Sequence, residues 1–421
     1  MKKFIIFFIL VLITACSNMS QETLEEAASK ANEKFKLSKK EQKIIDASND
    51  FSIKLFKELE KSQADSSMML APMGIVYSLN IINNGASGAT QDQLCKLLGY
   101  SKNDLDTVNA FCRRMIIGQY AKKRAACYVE SNGDMKSSCL LAIDRKMNPK
   151  DDLLPLIRKD YFANTMVIDM ASNAQEKINQ WCYQQTDSII KEIPLDLDKN
   201  TSACLINTTI FKAAWIDDFK LQKERKTFYK ENGEKVKLPM MHQKDSEFRY
   251  KVYENKLFST LRLRYCGPFW MTILLPNKGK KVADILHVLS PKMLKEIKHP
   301  LKNYDTLDIT IPKFTIKSTL ELSQHLRKLG ANKMFSDKSQ IAGFTEKSLK
   351  IDKFLQQSEM IVNEKGTQIK SVTESDYAIA LAKLAIPSKP IIYRFKADRP
   401  FVFLITDYFG NICFMGQYQG D

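Results

Sequence analysis

The stretch Thr201-Ser-Ala-Cys-Leu-Ile-Asn-Thr-Thr-Ile-Phe-Lys-Ala-Ala-Trp215 reads as a buried strand leaving a helix that carries Trp181. Five further segments follow it. Phe269-Trp-Met-Thr-Ile-Leu-Leu-Pro276 is a strand stopped by proline, which cannot donate to a ladder. Leu307-Asp-Ile-Thr-Ile-Pro-Lys-Phe-Thr-Ile316 alternates strictly, as a half-buried strand should. Ser318-Thr-Leu-Glu-Leu-Ser-Gln-His-Leu-Arg-Lys-Leu-Gly330 reads as a helix closed by glycine, with Leu320, Leu322, Leu326 and Leu329 on its apolar face. Near the end, Arg399-Pro-Phe-Val-Phe-Leu-Ile405 and Gly410-Asn-Ile-Cys-Phe-Met-Gly416 are two apolar strands around a turn. Helices and strands are mixed, no internal repeat shows, and no Gly/Ser- or Pro-rich linker divides the chain after about residue 45. One large α+β domain over 46–421 is expected.

Seven segments, in order, carry a family resemblance. They are Leu70-Ala-Pro-Met-Gly-Ile75 followed by Asn84-Gly-Ala-Ser-Gly-Ala-Thr90, then Leu205-Ile-Asn-Thr-Thr-Ile-Phe-Lys-Ala-Ala-Trp215, then Leu238-Pro-Met-Met241. Ile311-Pro-Lys-Phe314 with Leu329-Gly330 comes next, then Val362-Asn-Glu-Lys-Gly-Thr367, and Arg399-Pro-Phe401 with Phe414-Met-Gly416. From about Ser48 to Tyr418 the chain resembles a serpin. The resemblance implies three β-sheets, eight or nine helices and an exposed reactive loop, here about 364–394. It also implies a suicide-substrate inhibitor of serine proteases, with cysteine proteases as a further class. In that family the protease cuts the loop and is trapped as an acyl-enzyme. The freed loop then enters the main sheet as a new strand, releasing stored strain. A non-inhibitory serpin-fold protein that binds a partner is the alternative.

The residues after the hinge Glu364, Lys365, Gly366 and Thr367 can be tested for strand chemistry. One face is Thr367, Ile369, Ser371, Thr373, Ser375 and Tyr377, with no charge; the other is Gln368, Lys370, Val372, Glu374 and Asp376. No proline lies between Gly366 and Ile386 to break a ladder. Thr367 to Ala382 could extend roughly 50 Å. The sequence also departs from the family pattern. Gln368-Ile369-Lys370-Ser371 stands where inhibitory members favour alanines. In the sheet-opening region, to which the resemblance assigns Asn207, Gln356 and Trp215, Ala71 and Gly74 replace two typical serines and Gln356 replaces a histidine. Gln356 retains the means to hydrogen-bond the Asn207 amide, whereas Ala71 and Gly74 supply no hydroxyl.

Counting forward from the hinge places the scissile bond near Ala380-Leu381; counting back from Pro390 to Phe395 places it near Ile386-Pro387, where proline resists cleavage. The bait region is therefore read as Ala380, Leu381, Ala382, Lys383 and Leu384. Its small aliphatic residues suit elastase-like or subtilisin-like target proteases, and Lys383 suits a trypsin-like one.

The chain opens with Met1-Lys2-Lys3, an apolar run from Phe4 to Thr14, and Ala15-Cys16. That pattern describes a secretory signal over 1–15, too short to span a bilayer. Ile13-Thr14-Ala15-Cys16 resembles the bacterial lipobox, which implies a lipid on Cys16 and attachment to a bacterial cell envelope. Ser17, in place of aspartate, leans this towards the outer membrane. Residues 16–45 read as a lipid-anchored polar tether that becomes helical towards its end. Net charge is +16, much of it scattered lysine, which suits a solvated surface or an anionic partner. No nucleic-acid module is present, and a monomer is expected.

Four histidines stand in no catalytic or metal-ligand spacing, and no Gly-x-Ser-x-Gly, phosphate loop or HExxH occurs. No enzyme, catalytic residue, metal or cofactor is read from this chain. Among nine cysteines there is no CxxC. Cys95, Cys204 and Cys413 sit in apolar patterns and read as buried thiols. The sequence leaves a disulfide among Cys112, Cys127 and Cys139 open.

Overall fold

The computed structural model describes residues 22–30, 36–120, 134–245, 250–299, 304–367 and 391–421. Among them are ten α-helices and three principal sheets of six, six and four strands. The fold is mixed α and β, as the sequence implied.

The central sheet runs Phe314–Glu321, Lys353–Asn363, Gly366–Thr367, Ala203–Ala214, Asp134–Asp144, Asn164–Ile168. Strand Ala203–Ala214 carries the motif that opened the reading, and its first nine residues are buried on both faces. Alternation explains this double burial. Leu205, Phe211 and Ala213 point into the main core, while Cys204 and Ile206 join a second cluster with Leu355, Ile178 and Trp181. Helix Ala174–Gln185 supplies Ile178 and Trp181, so it covers the sheet's outer face.

The inner face packs against the second sheet, ordered Met68–Leu70, Ile412–Tyr418, Phe401–Thr406, Trp270–Pro276, Phe258–Arg264, Lys251–Glu254. Phe211 meets Tyr265 and Phe269 edge-on at centroid distances of 5.2 and 5.0 Å, a favoured aromatic geometry. Helix Pro72–Gly85, proline at its first position, is buried almost throughout and packs against both sheets. The third sheet is Ile392–Lys396, Thr306–Pro312, Met240–Asp245, Lys220–Leu221.

Two boundaries differ from the sequence reading. The alternating run 307–316 is two strands in two sheets, parted at Lys313 after Pro312. The helix expected over 318–330 is only Ser323–Lys328, because Ser318 and Leu320 continue the strand to Glu321 with strict in/out burial. Leu320 serves either period; pairing with Lys353–Asn363 decides for the strand.

Within the stretch 16–45 the described residues form two helical segments. Helix Leu24–Lys30 buries Leu24 and Ala27, and helix Lys39–Gln63 starts at a Ser38–Glu41 capping box. Glu22 pairs with Arg113 at 2.6 Å and Glu25 accepts from the Tyr120 hydroxyl at 2.7 Å, so the segment lies on helix Leu105–Tyr120. Among the described residues no helix is long and apolar enough to cross a membrane.

Candidate functional site

The site is the seam between strands Lys353–Asn363 and Ala203–Ala214. They pair in parallel over six residue pairs, from Lys353 opposite Cys204 to Ser358 opposite Thr209. Above that they part, and the short strand Gly366–Thr367 fills the opening. It is antiparallel to both: Thr367 lies opposite Val362 on one side and Ala213 on the other. A strand entering between two parallel neighbours from a tight turn can only run this way.

The turn is built by its own residues. The Asn363 side-chain oxygen accepts from the Lys365 and Gly366 amides at 2.9 and 3.2 Å. Trp215 donates its indole N–H to the Asn363 carbonyl and its backbone N–H to the Lys365 carbonyl, both at 2.9 Å. Phe219 donates its amide to the Glu364 carbonyl at 2.9 Å. Ion pairs Lys313–Glu364 and Lys365–Asp218 hold the outside. Gly366 has φ +153°, and a Cβ there would come within 2.1 Å of the Ala213 carbonyl oxygen. Only glycine fits.

Thr367 is fully buried, its hydroxyl 2.6 Å from that of Tyr265. The Tyr265 ring stacks on Trp215 at 4.2 Å. Burial pushes the Tyr265 phenol well up, opposed by the bond to Thr367, so it stays a neutral hydrogen-bonding partner.

Lower in the seam lies a second polar cluster. Gln356 accepts from the Ala71 amide and donates to the Ala71 carbonyl, both at 2.8 Å. It also donates to Asn207 Oδ1 at 2.7 Å. The Asn207 amide nitrogen donates to Ser137 Oγ and to the Ser138 carbonyl at 3.1 and 3.3 Å, and approaches Cys139 Sγ at 3.4 Å. Ser78 donates to the Gly74 carbonyl at 2.9 Å and lies 3.1 Å from Cys139 Sγ. Burial raises the Cys139 thiol, opposed by Ser78 and Asn207. Three seam atoms, Thr208 Oγ1, Gln357 Oε1 and Ser358 Oγ, find no hydrogen-bond partner among the described residues. Orphaned buried groups cost free energy, so the seam is under-satisfied over this stretch.

At the far end of the candidate loop, the Ile391 amide donates to Asp305 Oδ2 at 2.6 Å. Strand Ile392–Lys396 then pairs in parallel with Thr306–Pro312. Thr367 belongs to one sheet, and when the chain is next described its strand from Ile392 belongs to another.

A family model described as serpin (serine protease inhibitor) matches residues 46–419. The chain belongs to the serpin family. Human neuroserpin is 24% identical over 382 residues, covering 87% of this serpin and 89% of the relative. An uncharacterised serpin-like protein of Thermococcus kodakarensis is 28% identical over 389 residues, covering 90% and 85%. Among solved structures, the native state of tengpin, a thermophilic serpin, matches with TM-score 0.78 at 21% identity, covering 92% of this chain and 96% of that one. Thyroxine-binding globulin in complex with thyroxine matches with TM-score 0.78 at 22% identity, covering 90% and 99%. At such identities the structures establish the fold.

In this serpin the hinge residues Glu364 to Thr367 stand together as one turn. Asn207 and Gln356 are in contact, but Trp215 is apart from them. It lies eight residues along the chain from Asn207, roughly 26 Å and just past the strand's end, and hydrogen-bonds the turn that carries Asn363 and Lys365. Ala71 and Gly74 bring no hydroxyl, yet the cluster has three, from Ser137, Ser78 and Thr209, the last donating to Asn207 Oδ1 at 3.3 Å and lying 3.2 Å from Ser137 Oγ. Ser137 Oγ lies 2.5 Å from where a Gly74 Cβ would be. Sequence reading missed Ser137, Asn363 and Tyr265. Asn363 stood beside the hinge and was legible as a turn former; the other two come from distant strands. Ala380, Leu381, Ala382, Lys383, Leu384 and Cys16 lie outside the described residues. Cys112 and Cys139 are free, buried thiols, so they do not bond each other. Among the described residues no group of three or more His, Cys, Asp or Glu is placed to hold a metal ion.

Proposed function

We propose that this serpin is a suicide-substrate inhibitor of serine proteases, with cysteine proteases as a further class, acting by cleavage and insertion of the loop after Thr367. The observation that carries it is the Gly366–Thr367 strand, antiparallel to both neighbours and seated where they part. Insertion would extend that strand downward, replacing six parallel pairs in a seam that holds three orphaned polar atoms. The bait chemistry from Ala380 to Leu384 supports elastase-like and subtilisin-like targets, with a trypsin-like one through Lys383. Lipidation of Cys16 would hold the inhibitor at a bacterial cell envelope, on the outer membrane.

Mixing the purified protein with elastase, subtilisin and trypsin tests the reading on a denaturing gel. A covalent band of summed mass is the expected result with at least one of them. Clean cleavage by all three, with no such band, would favour the non-inhibitory reading. Intact mass of the mature protein tests the lipid.

A further inference from the structure

We infer that the outward face of the third sheet docks the acidic surface of the protease that takes the bait. This deepens the inhibitor reading above, on which it rests, by giving the partner a charge. Two rows of side chains cross that face. In one, Arg394, Asp308 and Lys244 stand side by side; in the other, Lys396, Thr310, His242 and Lys220 do. Alternation turns Met241, Leu307, Ile309, Ile311 and Phe395 to the opposite, buried face and leaves these seven outward. Four of the seven are Lys or Arg, one is a histidine and one a carboxylate. Asp308 is shared, with His242 Nε2 at 2.9 Å and Arg394 Nε at 4.0 Å. Lys396 pairs with Asp398 at 3.1 Å, just beyond the strand's end. Lys220 and Lys244 are exposed and have no ion-pair partner among the described residues.

Charge on sheet edges is common, because it blocks pairing with another chain. That accounts for Lys220, Arg394 and Lys396, which lie on the two edge strands. It does not account for Lys244 and His242, on the inner strand Met240–Asp245, where Lys220 directly opposes His242. Basic groups in direct opposition weaken a sheet when both are charged, so this arrangement does nothing for the fold. A surface that concentrates one sign instead draws a partner of the other and raises its rate of association. Ile392 stands exposed on the same face beside Arg394, an apolar contact within the basic field. The position suits a protease. Eight residues run from Leu384 to Ile392 and twelve from Ala380, so the tether reaches roughly 26–40 Å at full extension. A protease domain of about 220 residues is roughly 45 Å across. An enzyme holding the bait is therefore kept within about its own width of Arg394 and Lys396.

The test uses the full-length protein and two trypsins, one anionic and one cationic, which share a preference for cutting after lysine and differ in surface charge. Intact serpin should disappear about ten-fold faster with the anionic enzyme at about 50 mM salt. The gap should close at about 1 M, where charges are screened beyond about 3 Å. Lys220→Gln combined with Lys244→Gln should lower the anionic rate alone, about three- to ten-fold, with the unfolding midpoint unchanged because neither lysine holds a partner. Lys220→Glu combined with Lys244→Glu should reverse the preference between the enzymes. Equal rates with the two trypsins, or a double variant as fast as the wild type, overturn the docking face. The share of consumed serpin that ends as a covalent band comes from the same gel and tests trapping separately. Consumption with no band overturns the inhibitor reading, while a rate that follows charge still supports the basic docking face.

Discussion

The hydroxyl of Thr367 lies 2.6 Å from the hydroxyl of Tyr265, beneath the strand that carries Trp215. The first residue of the candidate loop is therefore in the sheet before any protease arrives. Replacing Thr367 with arginine would bury an unpaired charge against Tyr265. On the proposed insertion mechanism Thr367→Arg should leave a protein that is cleaved without trapping, read as loss of the covalent band with cleavage retained. Thr367→Ser should keep the band.

Gly74 and Ser137 share one space. A Cβ on Gly74 would stand 2.3 Å from Asn207 Oδ1 and 2.5 Å from Ser137 Oγ. Restoring the family's serine by Gly74→Ser should thus destabilise the fold, by roughly 1–3 kcal/mol for overpacking. Adding Ser137→Ala frees part of the space, so the double variant should recover part of the loss in denaturant unfolding. Strict additivity would refute the shared space.

The orphaned hydroxyl of Thr208 predicts an opposite sign. Thr208→Val keeps the shape and removes an unsatisfied group, stabilising the closed form by about 1 kcal/mol. A harder-opening seam slows insertion. The midpoint of denaturant unfolding should rise while more protease escapes; a fall in both would show that Thr208 is satisfied in solution.

Burial pushes the Cys112, Cys182 and Cys204 thiols up to about 12 from an ordinary 9.0. At pH 8 only about one Cys112 in ten thousand would be thiolate in the folded protein. Ellman's reagent at pH 8 should leave these three unmodified until the protein unfolds. The linked stability is fully present below pH 9 and is lost as pH rises from there through 12, because the unfolded chain releases these protons first. Unfolding midpoints measured from pH 8 to 11 should fall along that direction.

Sequence alone determined the family and the mixed architecture, and it carries the candidate hinge and the alternation written after it. These are local or ordered signals: a glycine followed by threonine, a period of two, seven segments in fixed succession. It could not tell that Leu320 ends a strand, because its spacing suits a helix equally and a partner strand made the choice. It could not tell that Trp215 bonds the turn at 363–365 while Asn207 lies in the seam, since a strand roughly 40 Å long holds Asn207 in its first half and Trp215 follows its other end. The hydroxyls of the polar cluster were invisible for the same reason: Ser78 and Ser137 have no motif and reach Gly74, Cys139 and Asn207 only through packing. Tertiary structure alone decided the pairing of Thr367 with Val362 and Ala213. Registers belong to pairs of strands, and a single chain states them only once it has folded.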